Sequence, residues 1–526
     1  MIRRVALALA ACSALLFPGC GNGGETTSVP FTGPDPAGLV PADAPFFAES
    51  IVLPEGDQKA ALEGALSKLL ATDDPGGFIV RKLDSELQDS NAGITFENDV
   101  QPWLGSRAGV FFETFTSDAR GAFILSTTDA AASQKAIDAA AAADKAPERT
   151  RRYKGVDYKV DNNGTAAGIV GAFVVFGPEA AFRDAVDAAN GSSLTESSDF
   201  TAQLAQAPDG TVAFVYADPQ GVADSLKKAG QLTTADLNAA GSQVNALLSA
   251  PASASVSVTS DQIALDVSAV GSAQDLTQAS SLLRGFPGDS WFAFAVGGLG
   301  GAFGQALQGS SQQLGFDLGS QVSNWAGDVG GFERGTSVFG LGGALVVESD
   351  DEQASAQTLN DLQQELSRNP SLDVSPLSEA GAQGFSVAPA GVPIQFQFVQ
   401  REGKVIAGLG SESVDDVFAP SSMLDDSDSF KAAAAALGSD FAPLVFWDFE
   451  PMFELVNGIP DTANDPGYQQ AKPYLDHLDY LVVGARAEGD RTAARTVLGL
   501  RESSSGGGGE PTAQSAAALD PAPLAP

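Results

Sequence analysis

The chain has 526 residues, with 66 Asp and Glu against 29 Lys and Arg, a formal net charge of −37, and 44% hydrophobic residues. That apolar share can build real cores, whereas a polyanion of this size is excluded from nucleic-acid binding, which sets Lys and Arg against phosphate, and is repelled by anionic lipid headgroups. Cys12 and Cys20 are the 2 cysteines and His477 is the 1 histidine. Zinc sites built on paired histidines, and thiolate chemistry downstream of Cys20, are therefore excluded.

The N-terminus reads as an export signal. Arg3 and Arg4 precede an apolar run, Val5–Phe17, and then Pro18-Gly19-Cys20. The run is too short to span a bilayer as a helix. A cysteine at the cut site, followed by Gly21-Asn22-Gly23-Gly24, is the layout of a bacterial lipoprotein signal, with lipid on Cys20. Leu9-Ala10-Ala11-Cys12 offers a second such tetrad, but it leaves an h-region of only Val5–Ala11. Residues 1–20 are thus expected to be signal and anchor. Residues 21–40, rich in Gly, Thr, Pro and Ser, are expected to be a disordered tether.

Two similar stretches follow, expected as domains over 41–284 and 285–502. In the first, a strand over Pro45–Leu53 leads to a helix over Gln58–Leu70. A strand pair around Ala108–Thr114 and Gly121–Ser126 leads to an alanine-rich helix, Asp129–Ala143. Strands over Val156–Val160 and Gly168–Phe176, a helix over Pro178–Ala189, a strand over Thr211–Ala217 and a further helix come next. Strands over Ala254–Thr259 and Gln262–Ala269 complete the set.

The second stretch repeats this order: Ser290–Val296, helix Ala302–Gln313, strands Gly331–Gly335 and Gly342–Glu348, helix Glu352–Arg368. Strands Gly384–Val387, Ile394–Val399 and Lys404–Leu409 follow, then helix Ser413–Phe418 and strands Leu444–Asp448, Tyr480–Glu488 and Arg491–Leu500. Particular residues recur as well. Trp103-Leu104-Gly105 returns as Trp325-Ala326-Gly327, Gly109 as Gly331, and Gly121–Ile124 as Gly343–Val346. Val215–Asp218 returns as Val445–Asp448, Phe200 as Phe430, and Pro41-Ala42-Asp43 as Pro287-Gly288-Asp289. The reading is α+β: two tandem homologous domains, each a mainly antiparallel sheet covered by helices. Residues 503–526, low in apolar material, are expected to be a disordered tail.

Four places invite a functional reading. Trp291–Val296 running into Gly297-Gly298-Leu299-Gly300-Gly301 imitates a dinucleotide loop, but the third glycine falls at Gly304, one position late. Asp218 and Asp448 sit at matching places after apolar strands and read as helix N-caps rather than a catalytic pair. Asp425-Asp426-Ser427-Asp428 lacks the glycine and distal glutamate of a calcium loop. His477, between Asp476 and Asp479, reads as a surface histidine. No catalytic, cofactor or metal residues are assigned; Cys20 is the one site residue, for lipidation.

The signal, the Pro-Ala-Asp opening, the Trp-x-Gly hairpin and the two-fold repeat together resemble the bacterial exported lipoprotein family called domain of unknown function 3352. The resemblance implies export and duplication over roughly residues 40–500. It carries over no site, because the family has no established activity. The expected role is a non-enzymatic binding or structural module, outside the cell and anchored through Cys20 to the outer face of the membrane, for an unknown protein or apolar ligand. A carrier of lipid or other apolar ligand, and a carboxylate-based hydrolase, are the alternatives.

Overall fold

A computed structural model describes residues 31 and 33–502, apart from 90–93, 116–119, 144–148, 234–247, 249, 271–275, 299, 315–316, 380–381, 392–393 and 490. The signal, Cys12, Cys20 and the 503–526 tail lie outside the described residues. The fold is α+β and divides into two compact units, residues 1–272 with 488–526, and residues 273–487. The expected division at 284 and 285 differs on two points. The helix Leu276–Arg284 goes with the second unit, and the last strand goes with the first.

Unit 1 contains β1 (Phe46–Ile51), β2 (Leu104–Phe112), β3 (Gly121–Thr127), β4 (Arg149–Tyr153), β5 (Val156–Val160), β6 (Thr165–Val170), β7 (Phe173–Pro178), β8 (Thr211–Ala217), β9 (Ala252–Val258) and β10 (Gln262–Val270). Its helices are α1 (Gly56–Leu69), α2 (Pro75–Asp89), α3 (Ala130–Ala143), α4 (Glu179–Ala189), α5 (Ser198–Leu204) and α6 (Pro219–Lys228). The strands pair, all antiparallel, in the order β4-β5-β6-β7-β3-β2-β1-β8-β9-β10, and the chain's last strand, Arg491–Leu500, adds beside β10. Period-2 alternation sends Phe47, Phe111, Ile124 and Val175 to one face, under α4 and the 3-10 turn Pro36–Leu39. The opposite face carries Leu104, Leu125, Val174 and Phe176 against α2, α3 and Trp103.

Unit 2 opens with α7 (Leu276–Arg284). Its strands are β11 (Ser290–Val296), β12 (Ala326–Arg334), β13 (Gly342–Ser349), β14 (Leu372–Glu379), β15 (Ala382–Pro389), β16 (Phe396–Arg401), β17 (Lys404–Leu409), β18 (Ala442–Asp448) and β19 (Leu478–Glu488). They pair in the order β14-β15-β16-β17-β13-β12-β11-β18-β19, again all antiparallel. With each strand number raised by ten, this is unit 1's order from β4 to β9. The helices are α8 (Gly300–Leu314), α9 (Leu318–Ser323), α10 (Glu352–Leu366), α11 (Gly410–Asp415), α12 (Asp428–Leu437), α13 (Phe449–Asn457), α14 (Pro460–Ala463) and α15 (Pro466–Leu475).

Three expectations need correction. The tether expected over 21–40 is packed from Phe31 onward. Phe31, Ala37, Leu39 and Val40 are buried in the first core, and Asp35 Oδ1 accepts from Ala37 N at 3.0 Å to cap the turn. Proline and glycine there make a 3-10 turn, not slack chain.

The strand expected over Gly168–Phe176 is a hairpin, β6–β7. It reverses at Gly171, whose φ of +60° favours glycine.

The match of Gly109 with Gly331 is off by one. Gly109 faces Ile124 across β2–β3, while Val346, the match of Ile124, faces Gly330 across β12–β13. The register break between Leu104 and Ala108 holds one residue more than that between Ala326 and Val329.

Candidate functional site

Perturbed chemistry concentrates in unit 1. Glu49 on β1 and Arg107 on β2 share the inward face with Phe47 and Phe111, so folding places two charges inside a hydrophobic layer. The Arg107 guanidinium donates to Glu49 Oε2 in a short bond, to Asp35 Oδ1 at 3.0 Å and to the Gly33 carbonyl at 3.5 Å. Its carbon lies 5.0 Å from the centre of the Phe31 ring, a cation–π contact. Gly109 lets the cover approach: a Cβ there would sit 3.1 Å from Pro36 Cβ and 3.0 Å from the Phe47 ring. Glu49 Oε1 and Arg107 Nε remain buried with no hydrogen-bond partner. Burial pushes the Glu49 carboxyl up to about 7, against the pull of Arg107. Phe31, Gly33, Asp35 and Pro36 cover this pair, so its geometry is that of a core element rather than an open site.

A second cluster lies at the start of β3. Arg120 bridges Glu113, at 3.0 Å, and Asp184 on α4. Burial, then the Asp184 charge, raises Glu113 to about 7, and Asp43 adds to the push. Unit 2 builds the same junction with its arginine on the other strand of the hairpin. Arg334, ending β12, pairs with Asp289 at 3.3 Å and with Asp416 after α11. Burial likewise raises Asp416 above the ordinary aspartate range. The Glu113–Asp184 pair is the arrangement closest to acid–base machinery in unit 1, a carboxyl near neutrality beside a second carboxylate. Sequence reasoning missed both clusters. The available signal was charge at inward positions of strands, Glu49 in Phe46–Ile51 and Arg107 in Leu104–Phe112.

The residues singled out from sequence fall elsewhere. Asp218 caps α6, accepting from Gln220 N at 3.1 Å, and Asp448 caps α13, accepting from Glu450 N at 3.1 Å. They belong to different units. In the glycine-rich turn after β11, Gly298 N already donates to Asp328 Oδ1 at 2.9 Å, so a carboxylate of the chain occupies the place a phosphate would take. Gly300 has no room for a Cβ against the Ala326 carbonyl, and Gly304 none against Ser323, so both glycines serve close packing. Asp425 pairs with Arg284, and Asp426 accepts from Met423 N at 3.4 Å. His477 lies in the turn between α15 and β19.

Among the described residues, no group of His, Cys, Asp and Glu is placed to hold a metal ion, and no helix is long and apolar enough to cross a membrane. A cavity of about 30 Å³ in unit 2 has room for about one water. Leu377, Val399, Arg401 and Asp415 line it with four further residues, and Asp415 is its one carboxylate.

Residues 79–498 match the family described as "Protein of unknown function (DUF3352)". No curated protein matches the chain. Among solved structures, crystal form I of TP0453 is similar at 13% identity and a TM-score of 0.26, over 46% of this chain and 80% of that one. Crystal form IV gives 13% and 0.26 over 48% and 85%, and crystal form III gives 12% and 0.23 over 48% and 87%. The chain belongs to the DUF3352 family, whose match runs through both units.

Proposed function

We propose that this DUF3352 chain is a membrane-tethered extracytoplasmic lipoprotein that acts as a non-enzymatic binding or structural module. The observation that carries the reading is the packing of Phe31 and of residues 33–40 into the core of unit 1, a short way downstream of the signal-like segment. Phe31 is 11 positions after Cys20. An extended chain of that length reaches at most about 40 Å, so lipid on Cys20 holds unit 1 close to a bilayer. The buried carboxyl of Glu49 is covered and committed to Arg107, which fits a scaffold role for that cluster. The test is fractionation of cells expressing the Cys20→Ser chain. The expected result is release from membranes to the medium. Membrane association that persists with Cys12 also replaced sinks the reading.

We further read the chain as an internal duplication. The repeated strand order supports it. So do two matching antiparallel bridges, Pro41 to Ser193 and Pro287 to Met423, each ahead of its unit's first strand. An experimental structure with different strand orders in the two units overturns it.

The Glu113–Asp184 pair favours one second reading, carboxylate acid–base chemistry. A Glu113→Gln change that removes a measured hydrolysis while leaving the thermal midpoint unmoved selects it over the binding module.

A further inference from the structure

One end of the unit 2 sheet is apolar and open. The strand pairings bring several chain reversals together there. Arg334, ending β12, faces both Ser290 and Gly342, while Gly408 faces both Ala344 and Gln397, beside the pair Phe396–Leu409. Met423 bridges Pro287, just ahead of β11. Val338, Phe339, Leu341, Ile394, Phe396 and Met423, all large and all exposed, gather at this end.

The β12–β13 hairpin carries the two most exposed of them, Val338 and Phe339. Gly340 N donates to the Ser337 carbonyl at 3.0 Å, closing a turn with Val338 and Phe339 at its two corners. Turn corners ordinarily take Gly, Pro, Asn, Asp or Ser, so a β-branched and an aromatic residue there run against local preference. Gly335, with φ at +93°, lets the hairpin base close against the Gly340 carbonyl, which a Cβ there would meet. Phe339 is 101% exposed and gains nothing from its own fold.

Charge narrows the occupant. In a chain of net charge −37, the stretches Gly335–Leu341, Ile394–Phe396 and Ser421–Met423 carry no charged residue. Asp289, Asp416 and Asp425 stand just behind them, paired with arginines. A second copy brings the same large negative charge, and anionic headgroups meet this acidic collar. A convex, uncharged, aromatic-tipped rim fits the headgroup–acyl boundary of a bilayer, which takes in projecting side chains without a complementary groove.

We propose that the Val338–Phe339 turn, with Leu341, Ile394, Phe396 and Met423 around it, inserts into the interface of a bilayer with zwitterionic headgroups. The proposal deepens the tethered-lipoprotein reading and rests on it for the presence of a membrane. The experiment uses the mature chain from Gly21, which lacks the anchor cysteine, so that its outcome is separate from the fate of Cys20. In a Phe339→Trp variant, phosphatidylcholine vesicles should shift the added emission to the blue, and brominated acyl chains should quench it. Val338→Ser, Phe339→Ser and Leu341→Ser together should weaken vesicle partitioning at least tenfold with an unchanged thermal midpoint. Emission indifferent to vesicles overturns the proposal. A blue shift that grows with protein concentration, or with an added protein fraction and without lipid, overturns it in favour of a protein partner.

Discussion

Unit 1 and unit 2 lay down their strands in the same order and fill one inward position with opposite chemistry. Glu49 faces Gly109 in unit 1, and Ala295 faces Gly330 in unit 2. Two residues before each glycine stand Arg107 and Asp328. Unit 1 therefore buries an ion pair under Phe31 and Asp35, while unit 2 buries an alanine and turns its aspartate to the Gly298 amide. The lesson is that the topology does not need the charge. What distinguishes unit 1 there is the cover made by Phe31 and by residues 33–36, whose Asp35 and Gly33 carbonyl both engage Arg107. The open end of the sheet differs in the opposite sense. In unit 1, Phe115 at the β2–β3 hairpin folds back on Phe46 and Phe112, and Ser193 stands where unit 2 has Met423.

The largest effect expected from breaking this difference is at Arg107. Its removal leaves Glu49 buried without a counter-charge, so Arg107→Ala should destabilise unit 1 by about 3–5 kcal/mol. Replacing the pair together, Glu49→Leu with Arg107→Met, should fall between neutral and about 4 kcal/mol more stable, because no charge is then desolvated. Hydrogen exchange at β1–β2, with β11–β12 as internal reference, separates the two units. If the double variant is as unstable as Arg107→Ala, the pair stabilises the fold in its own right and the comparison fails.

The next effect is pH dependence. Glu49 is raised from 4.5 to about 7, chiefly by burial. A carboxyl raised in the folded state binds its proton more tightly there than in the unfolded chain. Its contribution is therefore complete below pH 4.5 and is lost as pH rises through 7. Glu49 alone corresponds to about 3 kcal/mol over that window, as an upper figure. Glu113, also raised to about 7, adds in the same direction. Asp416 and Asp448 in unit 2 are raised as well, from 3.8, so unit 2 gains on acidification with the same sign. Urea melts at pH 5 and pH 7.5 should show unit 1 gaining the more at pH 5. Equal responses in the two units would break the contrast.

Much of the fold was legible in sequence because its signals are local. Thr211–Ala217, Ser290–Val296 and Lys404–Leu409 are short apolar runs, and they and Arg491–Leu500 form strands with the expected bounds. The alanine run after Asp129 is a helix start with its cap in view, Asp129 Oδ1 accepting from Ala131 N at 2.9 Å and Ala132 N at 3.0 Å. β4, Arg149–Tyr153, was hidden because four of its five residues are Arg or Thr and none is buried, so pairing with β5, not an apolar pattern, makes it a strand. The Glu49–Arg107 pair was illegible for a different reason. Its partners come from three segments, and nothing local to Phe31–Val40 announces that it will fold onto a strand 70 residues away. Asp35 to Arg107 spans 72 positions.

The smallest effects test whether the units agree where they look alike, at the caps. Asp218 and Asp448 accept from the second helical amide at the same 3.1 Å, so alanine at either should cost about 1 kcal/mol. Asparagine caps about as well as aspartate, and Asp218→Asn should leave stability unchanged within a few tenths of a kcal/mol. Asp448 should differ. Burial raises its carboxyl, in spite of the bonds from Ser429 and the Glu450 amide. Above that raised pKa the folded state carries a charge it would rather lose, and Asp448→Asn keeps the acceptor while removing that charge. The expectation is a small gain at pH 7 that is smaller at pH 5, as Asp448 in the parent takes up more of its proton. Thermal melts of the two asparagine variants at both pH values decide it. A loss of more than ~1 kcal/mol in either at pH 7 would mean that the carboxylate charge has a role beyond the cap, and would reopen the functional reading of these residues.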